Sequence, residues 1–246
     1  MNMEMIGVIL AAGKGSRMYP FSETMPKSLL PILNRPLLVH QLEQMARLGI
    51  KKVIVVIGYY GFEIVRAIGD GRDLGLEIEY VDQDRTLGIA HALGCLEPKI
   101  DSPFLLFLGD IFFHVRDLES LVAPVRSGAA NAVLAAKRET DPEAIRRNFA
   151  IYQRPDGAVE RVIEKPRLAS TTLKGCGLYA FDLHVFDAVR RTPRTAARDE
   201  YEITDSIQLL IRDGFRVEVM DGVEQDINLT FPQDLYRATL LELQRL

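Results

Sequence analysis

The stretch Leu10-Ala11-Ala12-Gly13-Lys14-Gly15-Ser16-Arg17-Met18-Tyr19-Pro20 directly follows a short apolar run, Ile6–Leu10, of strand length. Two glycines placed there predict a tight turn that exposes backbone N–H groups at the carboxyl end of a strand, where α/β sheets bind ligands. Phosphate is the natural guest of such a turn. Two familiar phosphate loops do not fit. A dinucleotide fingerprint requires a third glycine where this chain has Met18, and the GxxxxGK[ST] pattern is absent. By itself Gly13-x-Gly15 is equally compatible with a strand-to-helix turn that binds nothing. Arg17 within the loop and Lys27, in Met25-Pro26-Lys27-Ser28-Leu29-Leu30-Pro31, change that weighting. Two cations then flank one set of N–H donors, and a triphosphate needs that much positive charge.

Outward from the loop, apolar runs of strand length recur at Val53–Ile57, Ile78–Val81 and Phe104–Leu108 without period-2 alternation, as in a sheet buried on both faces. Helical periods lie between them: Leu38, Leu42, Met45 and Leu48 closed by Gly49, then Ile64, Val65 and Ile68 closed by Gly69. The alternation predicts βαβ units and an α/β fold with a mostly parallel sheet flanked by helices. The second half differs. Arg154-Pro155-Asp156-Gly157 separates two strand-like runs, Asn148–Gln153 and Val159–Glu164, and predicts a hairpin. Further strands are expected at Ala132–Ala136, Gly177–Phe181 and Arg216–Met220, and helices over His184–Arg190, Asp205–Asp213 and Gln233–Leu246. Thr192–Asp199 reads as an exposed loop. One domain over residues 1–246, with an inserted or appended β-rich lobe, is the expected organisation.

Composition sets bounds on partners. The 246 residues are 48% hydrophobic and 26% charged, as in globular proteins, with a net charge of −4 and no Lys/Arg block to track a nucleic acid backbone. Cys95 and Cys176 are the only cysteines and stand far apart, which argues against a disulfide framework or a zinc site. The apolar start Met5–Ala12 is too short to span a membrane, and Glu4 stands where a signal peptide carries positive charge. A cytoplasmic location with no membrane partner is the expectation. His40, His91, His114 and His184 lack metal-site spacing and are read as structural.

Leu10-Ala11-Ala12-Gly13-x-Gly15-Ser16-Arg17-x-x-Pro20 followed by Pro26-Lys27 resembles the signature of the sugar-nucleotide pyrophosphorylases, nucleotidyltransferases that join a nucleoside triphosphate to a sugar 1-phosphate. Ser16 replaces the commoner Thr and keeps the hydroxyl. The likeness continues through Pro31–Gly58 and, more patchily, to the C-terminal helix. It is closest to the glucose-1-phosphate thymidylyl- and uridylyltransferases, and implies a Rossmann-like fold with a smaller sugar-binding lobe. Residues of about 1–125 would form the nucleotide-binding half and about 126–246 the sugar-phosphate half.

By that resemblance Leu10, Ala11, Ala12, Gly13, Gly15, Ser16, Gln83 and Gly88 bind the nucleotide, Gln83 reading a pyrimidine edge. From the residues alone, the favoured reading is a polar loop residue at Gln83 and a helix opener at Gly88. Asp110, ending an apolar strand, matches the family's Mg²⁺ ligand, and Asp226 the second, with Asn228 as the alternative. Glu164-Lys165-Pro166, Gly177 and Tyr179 resemble the segments that hold the sugar phosphate. Tyr201-Glu202-Ile203-Thr204-Asp205 is also similar, although Glu202 with Thr204 is as readily a helix cap.

Catalysis would be positioning and charge stabilisation by Mg²⁺, Arg17, Lys27 and Asp110, the sugar phosphate itself being the nucleophile. UTP or dTTP with glucose 1-phosphate is the expected pair. Alternatives are a mannose-1-phosphate guanylyltransferase, a cytidylyltransferase of another phosphorylated acceptor, a non-catalytic nucleotide-sugar sensor, and a dinucleotide-binding oxidoreductase. No acetyltransferase repeat is expected, and homo-oligomerisation is left open.

Overall fold

The computed structural model describes residues 3–196 and 198–245. In chain order the strands are β1 (Ile6–Leu10), β2 (Pro31–Ile32), β3 (Arg35–Pro36), β4 (Lys52–Ile57), β5 (Glu77–Asp82), β6 (Phe104–Leu108) and β7 (Ile111–Val115). They continue with β8 (Ala132–Arg138), β9 (Phe149–Gln153), β10 (Val159–Glu164), β11 (Leu173–Phe181), β12 (Val217–Asp221) and β13 (Val223–Asn228). The helices are α1 (Leu37–Arg47), α2 (Gly61–Ile68), α3 (Ile89–Gly94), α4 (Glu119–Arg126), α5 (Pro142–Arg146), α6 (Val185–Arg191), α7 (Ile203–Arg212) and α8 (Pro232–Leu243).

Two compact units interleave along the sequence. The first comprises Ile6–Thr86, Phe107–His114 and Asp226–Leu246; the second comprises Met1–Met5, Leu87–Leu106 and Val115–Gln225. The protein is α/β, with a mixed, mostly parallel sheet flanked by helices.

In the first unit the strand order is β6-β1-β4-β5, β6 contributing its last two residues. β1 runs parallel to β4 from Gly7↔Val53 to Leu10↔Val56, and β4 runs parallel to β5 from Lys52↔Glu77 to Ile57↔Asp82. In-register parallel strands end at one edge, so the segments after Leu10, Ile57 and Asp82 emerge together. Val8, Ile9 and Val53 through Val56 are buried, which explains the unbroken apolar runs. A further apolar cluster gathers Met18, Leu30, Ile32, Leu37, Phe112, Leu229 and Leu235. Each such side chain contributes about 1.5–3 kcal/mol on burial, so the loop after β1 and the segment after β13 share one anchored floor.

In the second unit the order is β10-β9-β11-β6, with β8 pairing both β11 and β12. β9 and β10 form the expected antiparallel hairpin, Glu164 opposite Phe149, closed by Arg154 N–H to Ala158 O (2.8 Å) and Gly157 N–H to Arg154 O (2.9 Å). β11 is antiparallel to β8 with an irregularity between Gly175 and Tyr179, while β12 is parallel to β8.

Several boundaries differ from the sequence reading. β11 starts at Leu173 rather than Gly177, and α8 runs over Pro232–Leu243, the expected last residue Leu246 lying outside the described residues. In the expected loop Thr192–Asp199, Ala197 lies outside them too, and Arg194 bridges to Tyr201. The strands β2, β3, β7 and β13 and the helices α4 and α5 differ from the sequence reading, whereas α3 follows Gly88, read there as a helix opener. β13 carries Glu224, Gln225, Asp226 and Asn228 among few apolar residues, and α4 contains Pro124, so neither shows a clean period.

Candidate active site

The carboxyl edge of the first unit gathers the nucleotide-loop residues. Ala11 N–H donates to Val56 O (2.8 Å), Gly109 N–H to Leu10 O (2.9 Å) and Gln83 N–H to Ile57 O (2.8 Å), so the ends of four neighbouring strands are tied in one row. The Leu10–Ala12 segment lies between Gly58 and Gly109. A Cβ on Gly58 would lie 2.8 Å from Ala12 O, and one on Gly109 would lie 2.7 Å from Leu10 O. Neither position has room for a side chain. The close backbone approach at these two glycines is not legible in the sequence, although each directly follows an apolar strand.

Gly15 takes the left-handed conformation, φ +63°, and opens a short helical turn Ser16–Met18. Its missing side chain leaves the lane occupied by the stem of Lys27, whose Cγ would lie 2.6 Å from a Cβ there. Lys27 Nζ donates to Asp110 Oδ2 (2.6 Å) and to Leu229 O (3.1 Å). The lysine side chain is 14% exposed and the aspartate 40%. Leu229 N–H donates to Asp110 O (2.8 Å), so the turn after β6 and the end of β13 are joined through backbone as well. Arg17 is exposed with its guanidinium carbon 5.8 Å from the centroid of the Phe231 ring. Gly13 and Ser16 are exposed, and Ala11 and Ala12 are buried.

Asp226 and Asn228 are half-buried on β13, and the chain continues from Asn228 directly to Leu229. The donors are hard oxygens, one of them a solvent-reaching carboxylate beside an ammonium. Among the described residues no group of three or more His, Cys, Asp or Glu forms a cage. Oxygen donors of this kind would suit Mg²⁺ completed by phosphate oxygens and water.

The sugar-phosphate candidates lie in the second unit, where Glu164 and Lys165 line a cleft of about 920 Å³ with Thr195, Arg198 and residues of β10 and α7, while Gly177 and Tyr179 are buried on β11. Glu164 Oε1 accepts from Arg198 Nη2 (3.0 Å), and Arg198 also pairs with Glu202. Lys165 Nζ is 3.9 Å from Glu164 Oε1. Lys165 has φ +42°, an uncommon left-handed position for a side-chain-bearing residue, and its N–H donates to Asn148 O (2.8 Å). Burial raises the carboxyl pKa of Glu164 and of Glu202, against the lowering pull of Arg198. Asp205, on the same wall, is raised by burial too.

Tyr179 is buried, and its phenol is pushed well above its ordinary range by burial and then by the charge of Glu164. Gly177, at φ +66°, sits in the irregular part of β11. Gly88 opens α3 with its α-hydrogen side against the backbone of Tyr201, whose N–H donates to Leu87 O (2.8 Å). Glu202 stands at the N-terminus of α7 without capping it, its side chain going to Arg198 instead. Arg198 was missed by sequence reasoning; its signal is an Arg four residues before a Glu in a loop. His40 contacts Ile32 O (3.1 Å), and His114 and His184 pair with Glu242 and Asp182.

Three relatives and two solved structures bear on this arrangement. The chain is 37% identical to the low-salt glycan biosynthesis nucleotidyltransferase Agl11 of Haloferax volcanii over 98% of its residues, spanning 66% of that protein's length. Against the UTP–glucose-1-phosphate uridylyltransferase AglF of the same organism, identity is 35% over 94% of this chain and 93% of the relative. Identity to a glucose-1-phosphate thymidylyltransferase of Streptomyces antibioticus is 34%, covering 98% and 67%. A crystal structure assigned as a glucose-1-phosphate thymidylyltransferase from Bacillus anthracis, in complex with sucrose, superposes with a TM-score of 0.85 at 27% identity, covering 96% of this chain and 94% of that one. A UDP-glucose pyrophosphorylase with UDP-glucose shares the fold at TM-score 0.84 and 21% identity, covering 99% and 100%. The family described as nucleotidyl transferase matches residues 6–227, most of the chain, and this protein belongs to it.

Proposed function

We propose that the protein transfers a nucleotidyl group from UTP or dTTP to a sugar 1-phosphate, glucose 1-phosphate foremost, with release of pyrophosphate. The observation that carries this reading is the placement of Lys27 between Asp110 and Leu229 O, against the left-handed turn of Gly15. An ammonium has three N–H donors, so two contacts inside the protein leave one to meet a phosphate oxygen. The loop N–H groups and Arg17 supply the remaining donors.

In the reaction an oxygen of the sugar phosphate attacks the α-phosphorus of the triphosphate. A new P–O bond forms, the α–β phosphoanhydride bond breaks, and pyrophosphate leaves with the electron pair. Lys27 and Arg17 hold the phosphates in line and offset the charge of the leaving group. Asp110 and Asp226, with Asn228 the alternative to the latter, would hold Mg²⁺, which when bound neutralises phosphate charge. Gln83 at the end of the strand row supports a pyrimidine, since an amide both donates and accepts. Glu164, Lys165 and Arg198 in the second unit are the groups assigned to the sugar phosphate, Glu164 accepting from hydroxyls. The names borne by the uridylyl- and thymidylyltransferase relatives support the same pair of substrates.

The test is pyrophosphate release with each nucleoside triphosphate against a panel of sugar 1-phosphates. A pyrimidine triphosphate with glucose 1-phosphate should give the highest kcat/KM. A clear preference for GTP with mannose 1-phosphate, or for CTP, would replace this reading.

A further inference from the structure

Gln41 is 1% exposed and lies on the buried stripe of α1 with Leu37, Leu38, Leu42 and Met45. Every other member of that stripe is apolar. The amide nitrogen of Gln41 donates to Leu108 O (2.9 Å) and to Ile111 O (2.8 Å). Those two carbonyls bracket the two-residue turn Gly109-Asp110 between β6 and β7. The Gln41 carbonyl Oε1 is itself buried and has no hydrogen-bond partner among the described residues. Turned the other way, the amide would press Oε1 against two carbonyl oxygens, so the hydrogen-bond network settles its orientation.

A buried acceptor left without a donor costs free energy, which an apolar residue of similar length would avoid. What an apolar residue lacks is the pair of N–H donors. Only the amide grips both ends of the turn that carries Asp110. Leu229 N–H to Asp110 O and Lys27 Nζ to Asp110 Oδ2 hold the same residue from the other side. We propose that Gln41 is a positioning residue for Asp110: its carboxamide fixes the Leu108–Ile111 turn and thereby aims the carboxylate at the phosphate site. The inference rests on Asp110 being a working carboxylate of nucleotidyl transfer. Gln41 touches no reacting group.

The experiment compares Gln41→Met and Gln41→His with the parent. Backbone amide exchange of Gly109, Asp110 and Ile111 reports the turn, and steady-state kinetics with UTP and glucose 1-phosphate report the carboxylate. In Gln41→Met these amides should exchange about tenfold faster while β1 and β4 keep parental protection. Its kcat should fall about tenfold to a hundredfold, the scale of a misplacement near 1 Å, with the KM for UTP little changed. Gln41→His keeps one N–H donor and should recover part of the lost kcat, and it carries the test if Gln41→Met does not fold.

A folded Gln41→Met with parental kcat overturns the proposal. So does a fall in kcat with unchanged exchange in the turn, or a Gln41→His no better than Gln41→Met. If the parent itself releases no pyrophosphate with any pair, the nucleotidyl-transfer reading fails. The exchange comparison then still decides whether Gln41 holds the turn.

Discussion

The stem of Lys27 crosses Gly15 so closely that a Cβ on the glycine would lie 2.6 Å from Lys27 Cγ and 2.9 Å from Cδ. The loop glycine therefore serves the lysine as well as the backbone turn. Gly15→Ala meets two obstacles, a left-handed conformation costing about 1–2 kcal/mol for an L-residue and a lysine that must move. We expect Gly15→Ala to fold and to lose kcat about tenfold or more, the scale of a displaced charge-assisted contact. Parental kcat would show that Lys27 is not held where catalysis needs it.

Asp110→Asn keeps the shape of the turn and removes the charge that pairs with Lys27 and suits a divalent ion. Turnover should fall steeply at ordinary Mg²⁺, while the melting temperature changes little because the carboxylate is partly solvated. Mg²⁺ titration of the residual activity checks this, and near-parental turnover at low Mg²⁺ would remove Asp110 from the metal assignment.

The sequence disclosed the strand-and-helix alternation because β1 and β6 are unbroken apolar runs ended by turn residues, and their observed bounds are those read from the residues. It disclosed the β9–β10 hairpin through Arg154-Pro155-Asp156-Gly157. β13 stayed hidden since four of its six residues are polar or charged. Lys27 and Asp110 are 83 positions apart, and no spacing rule joins them; a likeness to known enzymes named both, and folding shows them in contact. Gln41 was invisible for a different reason, and Arg198 showed only its spacing to Glu202. Each acts through partners distant in sequence, Arg198 on Glu164 and Gln41 on the carbonyls of Leu108 and Ile111.

Lys165 and Lys27 should separate the two substrates. Lys165→Ala is expected to weaken use of glucose 1-phosphate about tenfold to a hundredfold, the range for a hydrogen bond to a charged group, with UTP binding intact by calorimetry. Lys27→Ala should lower kcat with every acceptor. Equal and small effects from both would make them surface charges only.

Burial raises the Glu164 and Glu202 carboxyls above their ordinary range. A carboxyl that binds its proton more tightly folded than unfolded lowers stability as pH rises from the ordinary carboxyl range through the raised value, and the loss is complete above it. Glu202→Gln abolishes one such titration. Its unfolding midpoint in urea, followed across that window, should decline less with rising pH than the parent's. Parallel curves would contradict a buried, raised Glu202.

The most direct measurement is pyrophosphate release from UTP or dTTP with glucose 1-phosphate, with each substrate omitted in turn, in the parent and in Asp110→Asn. Release is expected in the parent only when both substrates are present, matched by an equal amount of nucleotide sugar, with a steep loss in Asp110→Asn. Release from the triphosphate alone, or no release with any sugar 1-phosphate and any triphosphate, would contradict it.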